Sequence, residues 1–217
     1  MKTILFQGDS ISDFRRDREC DYYLGSGYVT MVAGQLGLEQ PGEYRFLNQG
    51  ISGNRISDLY SRIKKDIINL KPDYLSILIE VNDVWHEISS QNGLSEEKFE
   101  IIYDLLLGEI LEELPQLRIM ILEPFVLPGT TTDATEEYPE RWNTFRTEVP
   151  RRAAAAKRLA LKYGLTYVPL QENFEEACKY APSSYWLYDG VHPTVMGHAL
   201  IQRQWLKGFA ELCERKD

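Results

Sequence analysis

Long hydrophobic runs, paired cysteines, an excess of positive charge and glycine-rich phosphate loops are all missing from this 217-residue chain, and each absence removes a class of function. No apolar run approaches the roughly 20 residues of a membrane-spanning helix. The N-terminus places only Ile4, Leu5 and Phe6 between a lysine and Gly8-Asp9, too short for a signal-peptide core. A soluble, cytoplasmic protein with no membrane partner is therefore expected. Cys20, Cys178 and Cys213 are widely spaced and odd in number, which argues against a disulfide framework and fits a reducing compartment. Twenty-four Lys and Arg against 33 Asp and Glu leave a net charge of −9, so a polyanion meets net repulsion and no nucleic-acid partner is expected. Three histidines, without His-Glu-x-x-His or paired cysteines, predict no metal site. Neither Gly-Lys-Ser/Thr nor Gly-x-Gly-x-x-Gly occurs, and no cofactor is expected.

What is present is the composition of a globular domain: 43% hydrophobic, 26% charged, with 15 Gly and 10 Pro. The length suffices to bury a core without disulfides or metals. No repeat, low-complexity tract or Gly/Ser linker marks a boundary, so residues 1–217 are expected to form a single domain. Short apolar runs alternate with longer amphipathic ones, the pattern of an α/β sandwich in which helices cover both faces of a parallel sheet. Five strands are predicted: Thr3–Gln7, Arg45–Asn48, Tyr74–Ile79, Arg118–Leu122 and Thr166–Pro169.

Ile56, Leu59, Ile63, Ile67 and Leu70 recur at helical spacing, as do Phe99, Ile102, Leu106, Ile110 and Leu114, and each series predicts one apolar stripe. Ser95 before Glu96 and Glu97 predicts a helix start, and Pro115 a stop. A further helix is predicted from near Trp142 to Tyr163, capped by Gly164 and kinked or restarted at Pro150, and the last helix follows Pro193. Pro128–Pro139 reads as a long surface loop.

Ligands of open parallel sheets bind beyond the carboxyl ends of the strands. Gly8-Asp9-Ser10 follows the first strand, Gly50 to Asn54 the second and Asn82-Asp83 the third, while Asp189 to Pro193 precedes the last helix. Ser10, in a turn at a strand end, stands where a nucleophile belongs, although a turn serine or helix cap has the same appearance. Asp189 and His192, three apart, can set a carboxylate beside one imidazole nitrogen and leave the other to take a proton from serine; the alternative is an Asp that caps the next helix. The Gly50–Asn54 and Asn82-Asp83 segments can supply backbone and amide donors for an oxyanion, or be ordinary turns. The Gly-x-Ser-x-Gly elbow of α/β-hydrolases is absent, since Asn54 stands where its last glycine would be. His198 shares a helical stripe with Ile201, Trp205 and Phe209 and reads as a packing residue.

In this order, Gly8-Asp9-Ser10-Ile11, Gly53, Asn82-Asp83 and Asp189-Gly-Val-His192-Pro resemble the SGNH hydrolases, the GDSL esterase/lipase family. The resemblance spans nearly the whole chain. It implies a flavodoxin-like three-layer fold, with Ser10 as nucleophile, His192 as general base and then acid, and Asp189 as orienting carboxylate. It also implies an oxyanion hole built from the Ser10 and Gly53 N–H groups and the Asn82 side chain. Asn82-Asp83-Val84-Trp85, Gly50-Ile51-Ser52-Gly53-Asn54 and Pro124-Phe125 look like the branch that contains intracellular acetyl-xylooligosaccharide esterases.

One position departs: the family's usual Gly-x-Asn-Asp has Glu80 in place of the glycine. Glu80 either faces the cleft and touches substrate or His192, or pairs with an arginine such as Arg55 and supports a loop. Trp85, Trp186 and Tyr188 flank the site in sequence and are either platforms for sugar rings or core anchors. No apolar insertion is long enough to form a lid. The expected function is a serine esterase that removes short acyl groups, acetyl first, from carbohydrates such as acetylated xylo-oligosaccharides. The alternatives are a thioesterase or lysophospholipase on the same triad, or a non-catalytic carbohydrate-binding relative. The expected partner is a small ester substrate, and a homo-oligomer is compatible with the sequence.

Overall fold

A computed structural model describes residues 1–214, and all five predicted apolar runs pair in it as parallel strands. The chain runs β1 Lys2–Gly8, α1 Ser10–Asp13, α2 Tyr28–Glu39, β2 Tyr44–Asn48, α3 Ile56–Ser61 and α4 Ile63–Asp66. After a 3₁₀ turn, Ile68–Leu70, come β3 Tyr74–Leu78, α5 Val81–Ser90, α6 Glu96–Glu113 and β4 Arg118–Leu122. The remainder is α7 Arg141–Lys162, β5 Thr166–Val168, α8 Gln171–Ala177, α9 Ser183–Trp186 and α10 Val195–Glu214. Strand order β2-β1-β3-β4-β5 is the flavodoxin-like winding, whose direction reverses beside β1 and opens a crevice at the strand ends there.

Alternation along each strand divides the core. Ile4, Phe6, Tyr74 and Leu78 face α2 and α10, while Leu5, Leu75 and Ile77 face α3, α6 and α7. On the first face Trp205 stacks between Phe6, at 5.3 Å, and Phe209, at 4.9 Å, and its indole N–H donates to Ser76 Oγ at 2.8 Å. That bond lets a buried tryptophan lie on a buried strand; without the hydroxyl the indole N–H would be orphaned at a cost of about 1–3 kcal/mol.

Ser95 caps α6 by accepting the Lys98 N–H, as predicted. Gly164, at φ +66°, closes α7: its N–H reaches Leu161 O and the Leu165 N–H reaches Ala160 O, a Schellman arrangement. Other expectations need correcting. The helix continues through Pro150 without restarting, because Pro150 and Arg146 both lie on its exposed side, where water can satisfy the carbonyl that the proline leaves free. The Ile56–Leu70 stripe is buried at Ile56, Leu59, Ile63 and Ile67, yet it is divided among α3, α4 and the 3₁₀ turn. The helix breaks at Arg62, whose backbone (φ −114°, ψ 14°) leaves helical geometry while its side chain bonds to the turn after β2. Within Pro128–Pro139, residues 133–139 are exposed, but Thr132 is fully buried and donates to Leu127 O, so the first part of that loop is packed structure. No helix of the described residues is long and apolar enough to cross a membrane.

Candidate active site

The first strand ends at Gly8, where a β-carbon would stand 2.3 Å from Leu78 O, so the chain passes close against β3 before turning. Asp9 then caps the single turn of α1 by accepting the Ile11 N–H at 2.9 Å, which puts Ser10 at the first helical position. Burial pushes the Asp9 carboxyl up to about 6, against the pull of the Ile11 N–H and the charge of His192. Two residues on, Ser12 Oγ meets Tyr28 OH at 2.9 Å, and Asp13 Oδ2 accepts both the N–H and the hydroxyl of Ser52, at 2.9 and 3.1 Å. The turn that carries Ser10 is thereby bonded to the turn after β2.

That second turn holds Gly53 at φ +82°, a conformation that favours glycine. Arg62 clamps it at both ends, donating through Nη1 to Gln49 O and through Nε to Asn54 Oδ1, each at 2.9 Å, and Asp66 Oδ2 receives the same Nη1 at 2.8 Å. From the third strand end, Asn82 in the first turn of α5 donates one amide hydrogen to Asn54 O at 3.0 Å. Its second amide hydrogen is available to the cleft that the residue lines.

Across the cleft, the Asp189–His192 turn is organised by its own carboxylate. Asp189 Oδ1 accepts the N–H groups of Val191 and His192, at 2.9 and 2.7 Å, and Oδ2 meets His192 Nδ1 at 2.7 Å. Thr131 Oγ1 donates to the same Oδ2 at 3.4 Å. Burial alone would raise the Asp189 carboxyl, but the bonds from the His192 ring and backbone and from the Val191 N–H hold it below its ordinary range. With Nδ1 bonded to a carboxylate, Nε2 is left as an acceptor, and it lies 2.9 Å from Ser10 Oγ. Ser10, Ser52, Gly53, Asn82, Trp85, His86, Ser89 and His192 enclose a cleft of about 380 Å³.

Ser10, Gly53, Asn82 and His192 thus surround one space, and Asp189 stands behind His192. Trp85 borders the cleft with its ring 5.8 Å from that of His192, and Tyr188, half exposed, stacks on the imidazole at 5.7 Å and 15°. Two expected substrate residues lie elsewhere. Trp186 lines a separate groove with Tyr180 and Leu200, its indole N–H bonded to Ala177 O. Glu80 is fully buried and faces Arg152, with Oε1 3.6 Å from Nε, rather than Arg55, which pairs with Asp58. It is not among the residues that line the cleft of Ser10 and His192. His198 packs as expected: it is wholly buried, its Nδ1 accepts the Tyr28 N–H at 3.1 Å, and burial, with the nearby His192 charge, pushes it down to about 4.

Sequence reasoning passed over Ser52, His86 and Ser89. The signal for the last two was available, because Asn82, Trp85, His86 and Ser89 follow helical spacing from one proposed site residue and form one face of α5. Among the described residues, no group of three or more His, Cys, Asp or Glu is placed to hold a metal ion.

A protein-family model described as "GDSL-like Lipase/Acylhydrolase family" matches residues 6–200. An acetylxylan esterase from Geobacillus stearothermophilus is 32% identical over 211 residues, covering 94% of this chain and 92% of that protein. A crystal structure of an acetylxylan esterase from that organism superposes with a TM-score of 0.83 at 31% identity, over 95% of this chain and 93% of its own. A structure from Parabacteroides merdae assigned as a GDSL-like lipase gives a TM-score of 0.88 at 35% identity, covering 96% of this chain and 95% of that one. An α/β hydrolase enzyme from the metagenome of Lake Arreo, Spain, gives 0.84 at 26% identity, with coverage of 97% and 96%.

Proposed function

The chain belongs to the GDSL-like lipase/acylhydrolase family and is a carboxylic ester hydrolase, and on that premise we propose that it removes acetyl groups from carbohydrates such as acetylated xylo-oligosaccharides, with a Ser10-His192-Asp189 triad. The observation that carries this reading is the relay of contacts from Ser10 Oγ to His192 Nε2, 2.9 Å, and from His192 Nδ1 to Asp189 Oδ2, 2.7 Å. The substrate class rests on the likeness to acetylxylan esterases, and one hydrolase domain spans the chain in this reading.

Ser10 Oγ attacks the ester carbonyl carbon as its proton passes to His192 Nε2. The carbonyl oxygen becomes an oxyanion, held by the N–H groups of Ser10 and Gly53 and the free amide hydrogen of Asn82. Asp189 keeps the imidazole in one tautomer and stabilises the imidazolium. Collapse breaks the bond to the sugar oxygen, which takes the proton from Nε2, and the acetyl group stays on Ser10. Water then enters, gives one proton to Nε2 and attacks the acyl carbon; the bond from that carbon to Ser10 Oγ breaks as Oγ takes the proton back from Nε2, and the acid leaves as acetate with its proton passing to solvent. A cleft of about 380 Å³ with serines on its walls suits an acetyl group better than a fatty acyl chain, and Trp85 and Tyr188 offer ring faces to a sugar at the rim.

The test compares acetyl, butyryl, palmitoyl and thioester substrates, with fluorophosphonate labelling of the wild type and Ser10→Ala. The expected result is fastest turnover of acetyl esters and a label confined to Ser10. A preference for palmitoyl or thioester substrates rejects the substrate class, and absence of labelling rejects the nucleophile.

A further inference from the structure

Glu80 carries several costs at once. It joins β3 to α5 at φ 156° and ψ −48°, a backbone that glycine adopts freely and a side chain resists, and such strain persists where surrounding structure enforces it. Its side chain is fully buried, and neither carboxyl oxygen has a hydrogen-bond partner among the described residues. Asp83, Asp9 and Glu148 add like charge around it, and burial dominates in pushing the carboxyl well above its usual range. Arg152 is the cation that opposes this.

Arg152, in α7, is itself buried and is fixed on two other sides. Nη1 donates to Glu148 O and Oε2 at 3.0 and 2.8 Å, and Nη2 donates to Leu94 O in the loop before α6. Its Nε, 3.6 Å from Glu80 Oε1, has no other partner among the described residues. The arginine is therefore a strut from α7 and the Leu94 loop to the corner where α5 begins.

That corner aims Asn82. Glu80 O accepts the Asp83 N–H at 2.6 Å, which forms the first turn of α5 around Asn82. The Asp83 carboxylate accepts the Ile56 N–H at the start of α3, and the Asn82 amide reaches Asn54 O. A shift of the corner by a few tenths of an ångström would move the one amide hydrogen left for the oxyanion, and such donors act only within about 2.7–3.1 Å of that atom.

We propose that the buried Glu80–Arg152 contact is a positioning device for catalysis, holding the strained entry to α5 so that Asn82 points at the developing oxyanion. This rests on the oxyanion role given to Asn82 above. Glu80 is a positioning residue; it touches neither substrate nor the reacting atoms.

A double-mutant cycle with Glu80→Gln and Asn82→Ala tests it, read as kcat and KM for 4-nitrophenyl acetate with thermal unfolding in parallel. Glu80→Gln should lower kcat about tenfold with KM within twofold, since the lost aim matters only in the transition state. Asn82→Ala should lower kcat on the order of a hundredfold, and the double variant should be within twofold of Asn82→Ala, because an absent amide cannot be misaimed. Arg152→Met approaches the pair from the other side and should show the same loss and the same non-additivity, while Arg152→Lys, which keeps the cation, should retain most of kcat. Glu80→Gln and Arg152→Met share no altered atom, so poor folding of one leaves the other decisive.

Wild-type kcat in Glu80→Gln, or a full tenfold loss added to that of Asn82→Ala, overturns the inference and leaves the triad untouched. Wild-type kcat in Asn82→Ala overturns the oxyanion assignment and the inference with it.

Discussion

Ser10 Oγ and His192 Nε2 meet at 2.9 Å although 182 positions separate them in sequence. Neither residue could achieve this alone. The first is fixed by the end of β1 and the cap of Asp9; the second by a turn that its own Asp189 folds through backbone bonds before α10 packs against the sheet. The contact joins the two extremes of the chain through a core that neither belongs to.

Asp189→Asn keeps the shape of that turn and removes the charge that selects the imidazole tautomer. Turnover of 4-nitrophenyl acetate should fall on the order of 10⁴-fold, with a thermal midpoint within a few degrees of the wild type. Steady-state kinetics and calorimetry check both halves, and a loss below tenfold would remove Asp189 from the triad.

Gly53→Ala separates conformation from crowding, since no atom lies within 4 Å of where the new β-carbon would go, while φ is +82°. The strain should cost about 1–3 kcal/mol of stability and turn the Gly53 N–H away from the oxyanion, lowering kcat at least tenfold with little change in KM. Denaturant unfolding and kinetics on one preparation measure the two effects.

Tyr188→Ala removes the exposed ring stacked on His192. KM for acetylated xylo-oligosaccharides should rise about five- to tenfold, the worth of one aromatic contact, while kcat/KM for 4-nitrophenyl acetate stays within threefold. Equal losses on both substrates would make the ring a support for the imidazole instead of a sugar platform.

Buried ionisable groups give stability opposing slopes with pH. His198 titrates at about 4 in the fold against 6.5 in its absence, so the unfolded chain binds more protons between these values. Its contribution is complete above pH 6.5 and is lost as pH falls through 4, on the order of 3 kcal/mol. Asp83 is raised to about 7 by burial and Asp9 to about 6, so their contributions are complete below pH 3.8 and are lost as pH rises through 6 to 7. Urea titrations at pH 5 and 7.5 should show His198→Gln losing less stability on acidification than the wild type, and Asp83→Asn losing less on the alkaline side. Parallel curves for either variant would contradict the assignment of that group.

The strands and the residues that meet at Ser10, His192 and Asp189 were legible because each strand and each turn carries its own short motif. Five apolar runs define five strands, and Asp189 and His192 belong to one short turn. Helix α2 was not anticipated; Gly34 and Gly37 weaken its intrinsic preference, and it forms because Tyr28, Val29, Val32 and Leu36 bury against the sheet. The partner of Glu80 was also hidden. Arg55 is nearer in sequence, but the strand end points toward α7, and only the packing of that helix selects Arg152. Likewise the Ile56–Leu70 spacing reads as one apolar stripe and carries no sign of the break at Arg62, whose side chain holds the turn of Gly53.

Between β4 and α7 the chain changes character within a few residues: Thr131 is fastened to the Asp189 turn and Thr132 to Leu127 O, and residues 133–140 stand in solvent. A foundation and a free tip in one loop make a natural grafting point. Residues exchanged or inserted at the tip would leave the bonds of Thr131 and Thr132 in place, so this loop can vary in length and composition while the contact between Asp189 and His192 stays as it is.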